Sequence, residues 1–219
     1  VLTVACVLRS GGDYKAEHVL ALRRGVMRHL SVPHRFVCLS DRDLPCETVR
    51  LRHGWPGWWS KIELFRPGLF DGPALYFDLD TIVVGPLEGL GDGHRFTMLE
   101  NFWDPKKIGS GMMAWSVPLT EIYEAFARDS AQVMRAYTTS DKWGDQAFIL
   151  RHTRTAPEMW QRKYPGKIVS YKFHCRQNLP PKSNVAGTAI VPPGASVICF
   201  HGQPRPWRTP LWPADEALA

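Results

Sequence analysis

Two aspartates two residues apart, Asp78 and Asp80, follow the apolar run Leu75-Tyr76-Phe77. On a continuing strand an Asp-x-Asp sends its carboxylates to opposite faces of the pleat. If the chain turns there, both can reach one hard cation, directly or through water. The spacing alone is weak evidence, because 12 aspartates in 219 residues give about 0.7 such pairs by chance. A second pair, Asp41-Arg42-Asp43, also follows an apolar run and reads as a turn. What sets Asp78 apart is its approach. Pro73 to Phe77 reads as a buried strand that brings the acids to the carboxyl edge of a sheet, where open α/β sheets bind ligands. An acidic pair there needs a counter-charge, and a divalent ion supplies one.

The elements that must position this pair are legible on both sides of it. Leu2 to Leu8 is strand-like and ends at the turn signal Ser10-Gly11-Gly12-Asp13. Ala16, Val19, Leu20, Leu22, Val26, Met27 and Leu30 recur at helical spacing, and Pro33 bounds that helix. His34 to Leu39 reads as a second strand and Thr48 to Leu51 as a third, so the first 40 residues form a right-handed parallel unit. The turn Trp55-Pro56-Gly57-Trp58-Trp59 leads into a short helix from Ser60 that ends by Pro67, and this tryptophan cluster reads as core or lobe packing, with a stacking platform as the alternative. Strands are expected at Phe96–Leu99 and Met112–Trp115, one helix from Pro118 to about Tyr137, and another from Asp145. Beyond residue 160 prolines interrupt every pattern, and only Ser196–Phe200 stands out as a strand. The expectation is a three-layer α/β domain with an irregular C-terminal lobe.

Composition narrows the class. The balance of 44% hydrophobic and 22% charged residues is that of a globular chain, which excludes a disordered or fibrous one. No apolar run approaches the roughly 18 residues of a membrane span, and no charged-then-apolar leader opens the sequence. Cys6, Cys38, Cys46, Cys175 and Cys199 show no Cys-x-x-Cys spacing, which points to reduced core thiols and a cytoplasmic protein. Charge is lopsided. Through residue 158 the basic and acidic residues cancel, whereas 159–214 carry eight Lys and Arg and no acid. Such a one-sided field attracts phosphates, nucleic acid or acidic glycans, against the plainer reading of a solvated face.

Two families place an acidic pair on such a strand. Asp78-Leu79-Asp80-Thr81-Ile82 resembles the Asp-x-Asp-x-Thr/Val run of haloacid dehalogenase-like phosphatases, with Ile82 in the Thr/Val position and the pair displaced from the first strand. More segments are similar to the GT-A nucleotide-sugar glycosyltransferases of family eight, the glycogenin and bacterial lipopolysaccharide hexosyltransferase group. Tyr76-Phe77-Asp78-Leu79-Asp80-Thr81 resembles that group's metal-binding segment, and Ser110-Gly111-Met112-Met113 its Asn/Ser-Gly-Val-Met strand. Asp145-Gln146 is similar to its Asp-Gln pair, and His201-Gly202-Gln203-Pro204-Arg205-Pro206-Trp207 to its closing His…Gly…Lys-Pro-Trp motif. These segments come in the family's order over residues 76–207, with the opening strand and Tyr14 compatible. The closing motif is about two residues shorter than glycogenin's, and Arg205 replaces its Lys, keeping the charge and adding a fork.

The resemblance implies a GT-A domain over 1–219 with a mixed central sheet. Residues 1–158 would form the nucleotide- and metal-binding core, and 159–219 the acceptor side and closing motif. Asp78, Asp80 and His201 form an oxygen/oxygen/nitrogen set suited to Mn²⁺, with Mg²⁺ as the other choice. A divalent ion and a cation on the diphosphate stabilise a nucleoside diphosphate leaving group, so Arg205 and Lys61 would face the phosphates of a UDP-sugar. Asp145 and Gln146 would hold sugar hydroxyls, Tyr14 would stack on the base, and Ser110, Gly111 and Gly202 would line the donor, glycine leaving room for it. The expected activity is hexose transfer with retention. The basic last quarter points to an anionic acceptor, either a hydroxylated base in DNA or a phosphorylated glycan. A phosphatase, and a non-catalytic nucleic-acid or glycan-binding module on a transferase scaffold, remain the rival readings.

Overall fold

The strand Leu2–Leu8 (β1) is alternately apolar on two faces, and both faces are covered. Val4, Cys6 and Leu8 join one buried cluster, and Ala5 joins another. The computed structural model describes residues 1–91, 93–139 and 142–212. After β1 come α1 (Ala16–His29), β2 (His34–Ser40) and β3 (Glu47–Arg50). A 3-10 helix, Gly57–Phe65, leads to β4 (Ala74–Phe77) and β5 (Thr81–Val83). Next are β6 (Phe96–Glu100), β7 (Ile108–Trp115), α2 (Thr120–Arg128) and α3 (Ser130–Ala136). A ribbon of β8 (Thr138–Thr139) and β9 (Lys142–Trp143) precedes α4 (Gly144–His152), β10 (Glu158–Met159) and α5 (Trp160–Lys163). β11 (Ile168–Ser170) and β12 (Val197–Cys199) complete the strands.

Seven strands form a mixed sheet in the order β10-β6-β7-β4-β1-β2-β3. β1 runs parallel to β2 and to β4, as a strand–helix–strand unit requires. β7 is antiparallel to both β4 and β6, because a short connection from β6 can return only in that sense. α1 packs on one face with Val19, Leu22 and Val26. The 3-10 helix, α2 and α4 cover the other with Trp59, Ile62, Phe126 and Phe148. A second sheet, β11-β12-β5, carries Val169, Ile198 and Ile82 into a third cluster. Each fully buried Leu, Val or Phe in these clusters contributes roughly 1.5–3 kcal/mol.

Three local expectations are corrected. The single helix expected over 118–137 is two, because Asp129 leaves helical geometry at φ −154° and its carboxylate accepts the Gln132 N–H at 3.1 Å. The helix expected from Ser60 is a 3-10 helix that already starts at Gly57. The last quarter is less irregular than its prolines imply, since β11 and β12 pair in parallel and β12 pairs antiparallel with β5. Strands of three residues have no periodicity for a sequence to display. All five cysteines are free, and Cys6, Cys38, Cys175 and Cys199 are buried. Among the described residues no helix is long and apolar enough to cross a membrane.

Candidate functional site

β4 stops at Phe77, and the chain turns through Asp78-Leu79-Asp80 before β5 begins. Leu79, 3% exposed, pins the turn into the core beneath it, so the two flanking carboxylates stay at the sheet edge. The antiparallel register Phe77↔Met112 then sets Gly111 and Ser110 of β7 beside the turn, and the Asp78 N–H donates to the Gly111 carbonyl at 2.8 Å. A Cβ on Gly111 would come within 3.3 Å of Asp78 Oδ2, so glycine leaves room for that carboxylate. On the far side the Phe200 N–H donates to the Asp80 carbonyl at 3.0 Å, which places His201 and Gly202 next to the pair. Gly202 has φ +76°, a conformation that favours glycine.

All eleven sequence-selected residues line one cleft of about 960 Å³: Tyr14, Lys61, Asp78, Asp80, Ser110, Gly111, Asp145, Gln146, His201, Gly202 and Arg205. Asp41 and Asp43 do not. Asp41 accepts the Ser10 N–H at 3.0 Å and pairs with Arg9, and Asp43 pairs with Arg50, so that Asp-x-Asp serves its own turn.

Inside the cleft each acid has a cation. Lys61 Nζ lies 2.9 Å from Asp78 and 3.1 Å from Asp145, and donates to Ser110 Oγ at 3.0 Å. Burial alone would lower the Lys61 pKa, but Asp145 and Asp78 outweigh it and hold the ammonium charged. Expected to face phosphates, Lys61 is instead committed to the floor of the cleft. Ser110 Oγ also donates to Asp145 at 2.6 Å, and Tyr76 donates to Asp78. Asp80 accepts from Tyr14 at 2.9 Å and from Arg205 Nη1 at 3.0 Å. Its pKa is raised to about 6, first by burial and then by Asp78, against the opposing pull of Arg205. The Tyr14 phenol is held neutral, chiefly by burial and then by Asp80. Its hydroxyl accepts from Arg205 at 2.8 Å, and the guanidinium carbon lies 5.0 Å from the ring centroid, over the face expected to meet a base.

His201 is engaged elsewhere. Trp103 Nε1, which can only donate, reaches His201 Nδ1 at 3.1 Å, so the neutral ring carries its proton on Nε2 and gives it to Ser170 Oγ at 2.7 Å. Burial, then Lys172 and His174, lower its pKa to about 4. Among the described residues no group of three or more His, Cys, Asp or Glu is arranged to hold a metal. Asp78 and Asp80 are the two carboxylates a divalent cation would find here, and they are already paired with Lys61 and Arg205 respectively. His201 can join them only by giving up Trp103 or Ser170.

The basic quarter is largely tied down. Arg176 is buried and donates to the carbonyls of Pro180, Ser183 and Val185. Lys172 is buried with its ammonium 5.6 Å from the Trp103 ring, Arg162 pairs with Glu100, and Lys163 pairs with Glu158. Sequence reasoning missed Trp103 and Ser170, whose approach to His201 depends on pairing across the fold. It also missed Asp13, 3.3 Å from Arg205, although Asp13 stands in the turn signal after β1.

No family model matches the chain, and no curated protein does. Solved structures do. The glycosyltransferase GlyE of Streptococcus pneumoniae TIGR4 superposes with a TM-score of 0.60 at 10% identity, over 94% of this chain and 56% of that one. The galactosyltransferase LgtC, in complex with donor and acceptor sugar analogs, gives a TM-score of 0.61 at 13% identity over 94% of this chain and 89% of that one. The bifunctional glycosyltransferase WbbM gives 0.55 at 12% identity over 94% and 46%. This chain thus spans little more than half the length of GlyE and has the GT-A glycosyltransferase fold.

Proposed function

We propose that this protein transfers a hexose from a UDP-sugar to an acceptor hydroxyl, with a divalent cation, Mn²⁺ or Mg²⁺, held at Asp78 and Asp80. The observation that carries this reading is the placement of that pair at the sheet edge within reach of Arg205 (3.0 Å from Asp80), in a cleft shared with Asp145 and Gln146. The same edge of a GT-A sheet supports the transferase reading over the phosphatase one.

In the reaction the bond from the anomeric carbon to the β-phosphate oxygen breaks, and the acceptor oxygen bonds that carbon. The hydroxyl proton passes to the departing phosphate oxygen, which balances the charge. A bound divalent cation would neutralise part of the charge gathering on that diphosphate. Arg205 presents a forked cation to the same charge as it grows. Asp145, fixed by Lys61 and Ser110, is positioned to accept from donor-sugar hydroxyls. Asp145 is held by an ammonium and a hydroxyl, which opposes its use as a nucleophile and favours front-side displacement with retention.

An anionic acceptor, a modified DNA base or a phosphorylated glycan, was expected from charge. Support for the DNA arm is reduced, because Arg162, Lys163, Lys172 and Arg176 have partners within the fold. A thermal-shift panel of nucleotide sugars with and without Mn²⁺ tests the whole reading. One UDP-hexose should stabilise the protein, and more so with Mn²⁺. Indifference to every nucleotide sugar, or turnover of a phosphomonoester without one, overturns it.

A further inference from the structure

The tryptophan cluster at 55, 58 and 59 divides into two jobs. Trp55 stacks on His53 at 4.0 Å and Trp59 on Phe126 at 5.0 Å, and both are buried. Trp58 is 51% exposed, as is Trp143 of β9, and the two indoles lie 6.1 Å apart, tilted by 46°. Both line the cleft that holds Asp145 and Gln146. Half-exposed indoles contribute little to a core, so a paired set at the rim of a cleft marks a contact surface.

Two independent pieces of chain aim this pair at Asp145. In a 3-10 helix residues three apart lie one above the other, so Trp58 stands on the side of the helix that carries Lys61, whose ammonium is 3.1 Å from Asp145. On the second piece Trp143 and Gly144 lead directly into Asp145. Gly144 has φ +61°, and a Cβ there would meet Trp58 Nε1 at 3.3 Å. The absence of that Cβ lets the indole lie against the backbone that presents Asp145.

We infer that Trp58 and Trp143 form the acceptor subsite and that its occupant is the terminal pyranose of a saccharide, stacked by its C–H face on the indoles. This inference rests on the donor assignment above, since an acceptor must enter from the rim to meet a donor held at Asp78 and Asp80. A pyranose ring is apolar on its faces and hydroxylated at its edge. The electron-rich indole faces attract its polarised C–H groups, and Gln146 of the same cleft offers hydrogen bonds to its hydroxyls. A nucleobase would also stack. Its phosphates, however, would find the ammonium of Lys61 already paired with Asp78 and Asp145, where a polyanion site would keep its cations uncommitted.

The test uses the full chain with lactose, cellobiose, maltose and a single-stranded DNA 12-mer as acceptors. At least one disaccharide should accept hexose from the UDP-sugar that stabilises the protein. Trp58→Ala and Trp143→Ala should each raise its KM about tenfold with kcat changed less than about twofold, and Trp58→Phe should restore most of the loss. Unaltered KM in both Ala variants, or transfer to the DNA alone, overturns the inference. Saturation-transfer NMR with the same disaccharides separates this failure from that of the donor assignment. Contact with wild type that is lost in the Trp58→Ala/Trp143→Ala double variant upholds the platform even where no UDP-sugar is turned over. Absence of contact with wild type overturns it, whatever the donor does.

Discussion

Arg205 Nη1 lies 3.0 Å from Asp80 Oδ2, although 125 residues separate the two along the chain. The hydroxyl of Tyr14 bridges them, accepting from the guanidinium and donating to the carboxylate. Removing either charge leaves the other in a largely dehydrated place, which is costlier than never having buried the pair. Arg205→Ala should lower Tm by several degrees and also raise donor KM and lower kcat, because diphosphate charge grows toward the transition state. Steady-state kinetics with the UDP-sugar decide the second part, and unchanged kinetics would remove Arg205 from phosphate binding.

Asp78→Ala and Asp80→Ala should each abolish the Mn²⁺-dependent part of UDP binding while the far-UV spectrum is kept. Calorimetric titration of UDP with and without Mn²⁺ measures it. Wild-type metal dependence in either variant would place the cation elsewhere.

Asp41→Ala should leave that metal dependence intact and cost stability instead, about 1 kcal/mol at pH 7. Burial works to raise the Asp41 pKa, but the Ser10 hydroxyl and N–H outweigh it and hold the carboxyl below its ordinary 3.8. A depressed folded-state value means that the stabilisation is complete above the unfolded pKa and is lost as pH falls through the folded one. Denaturant melts should therefore separate wild type from Asp41→Ala at pH 7 and bring them together in acid, once pH has fallen through the depressed folded-state pKa. A gap that persists in acid would mean that packing, and not the ionised carboxylate, is at stake.

Trp103→Phe should tighten Mn²⁺ binding if His201 is the third ligand, since it removes a hydrogen bond that competes for Nδ1. His201→Ala should weaken Mn²⁺ more than it lowers Tm. Equal Mn²⁺ affinity in wild type and both variants would leave Asp78 and Asp80 as the protein's whole contribution.

Gly144→Ala should destabilise the protein by about 1–2 kcal/mol, because the added methyl combines a strained φ with a close approach to Trp58. Thermal melts test it. A neutral substitution would show that the turn before α4 relaxes freely.

Much of this arrangement could be read before any coordinates. The alternation of Leu2–Leu8, the helical spacing from Ala16 and the apolar approach to Asp78 are local signals, and the elements formed where those signals lay. What stayed hidden was partnership. Nothing near His201 in sequence announces Trp103 or Ser170, because one comes from the loop after β6 and the other from a three-residue strand. Composition counted Arg176 toward a basic face, whereas the fold points its guanidinium at three carbonyls. For the Trp55-Trp58-Trp59 cluster the sequence offered packing or a stacking platform, and burial divides them: Trp55 and Trp59 pack, and Trp58 stays half-exposed.

The ammonium of Lys61 touches Asp78 from the turn after β4, Ser110 from β7 and Asp145 from α4, and its own backbone belongs to the 3-10 helix. Four stretches of chain thus meet at a single nitrogen before any ligand arrives. A ligand entering the cleft meets a floor already cross-linked by these contacts, which lessens the ordering its own interactions must drive. A neutral side chain at position 61 would leave Asp78 and Asp145 without the cation they share, and Ser110 without its donor.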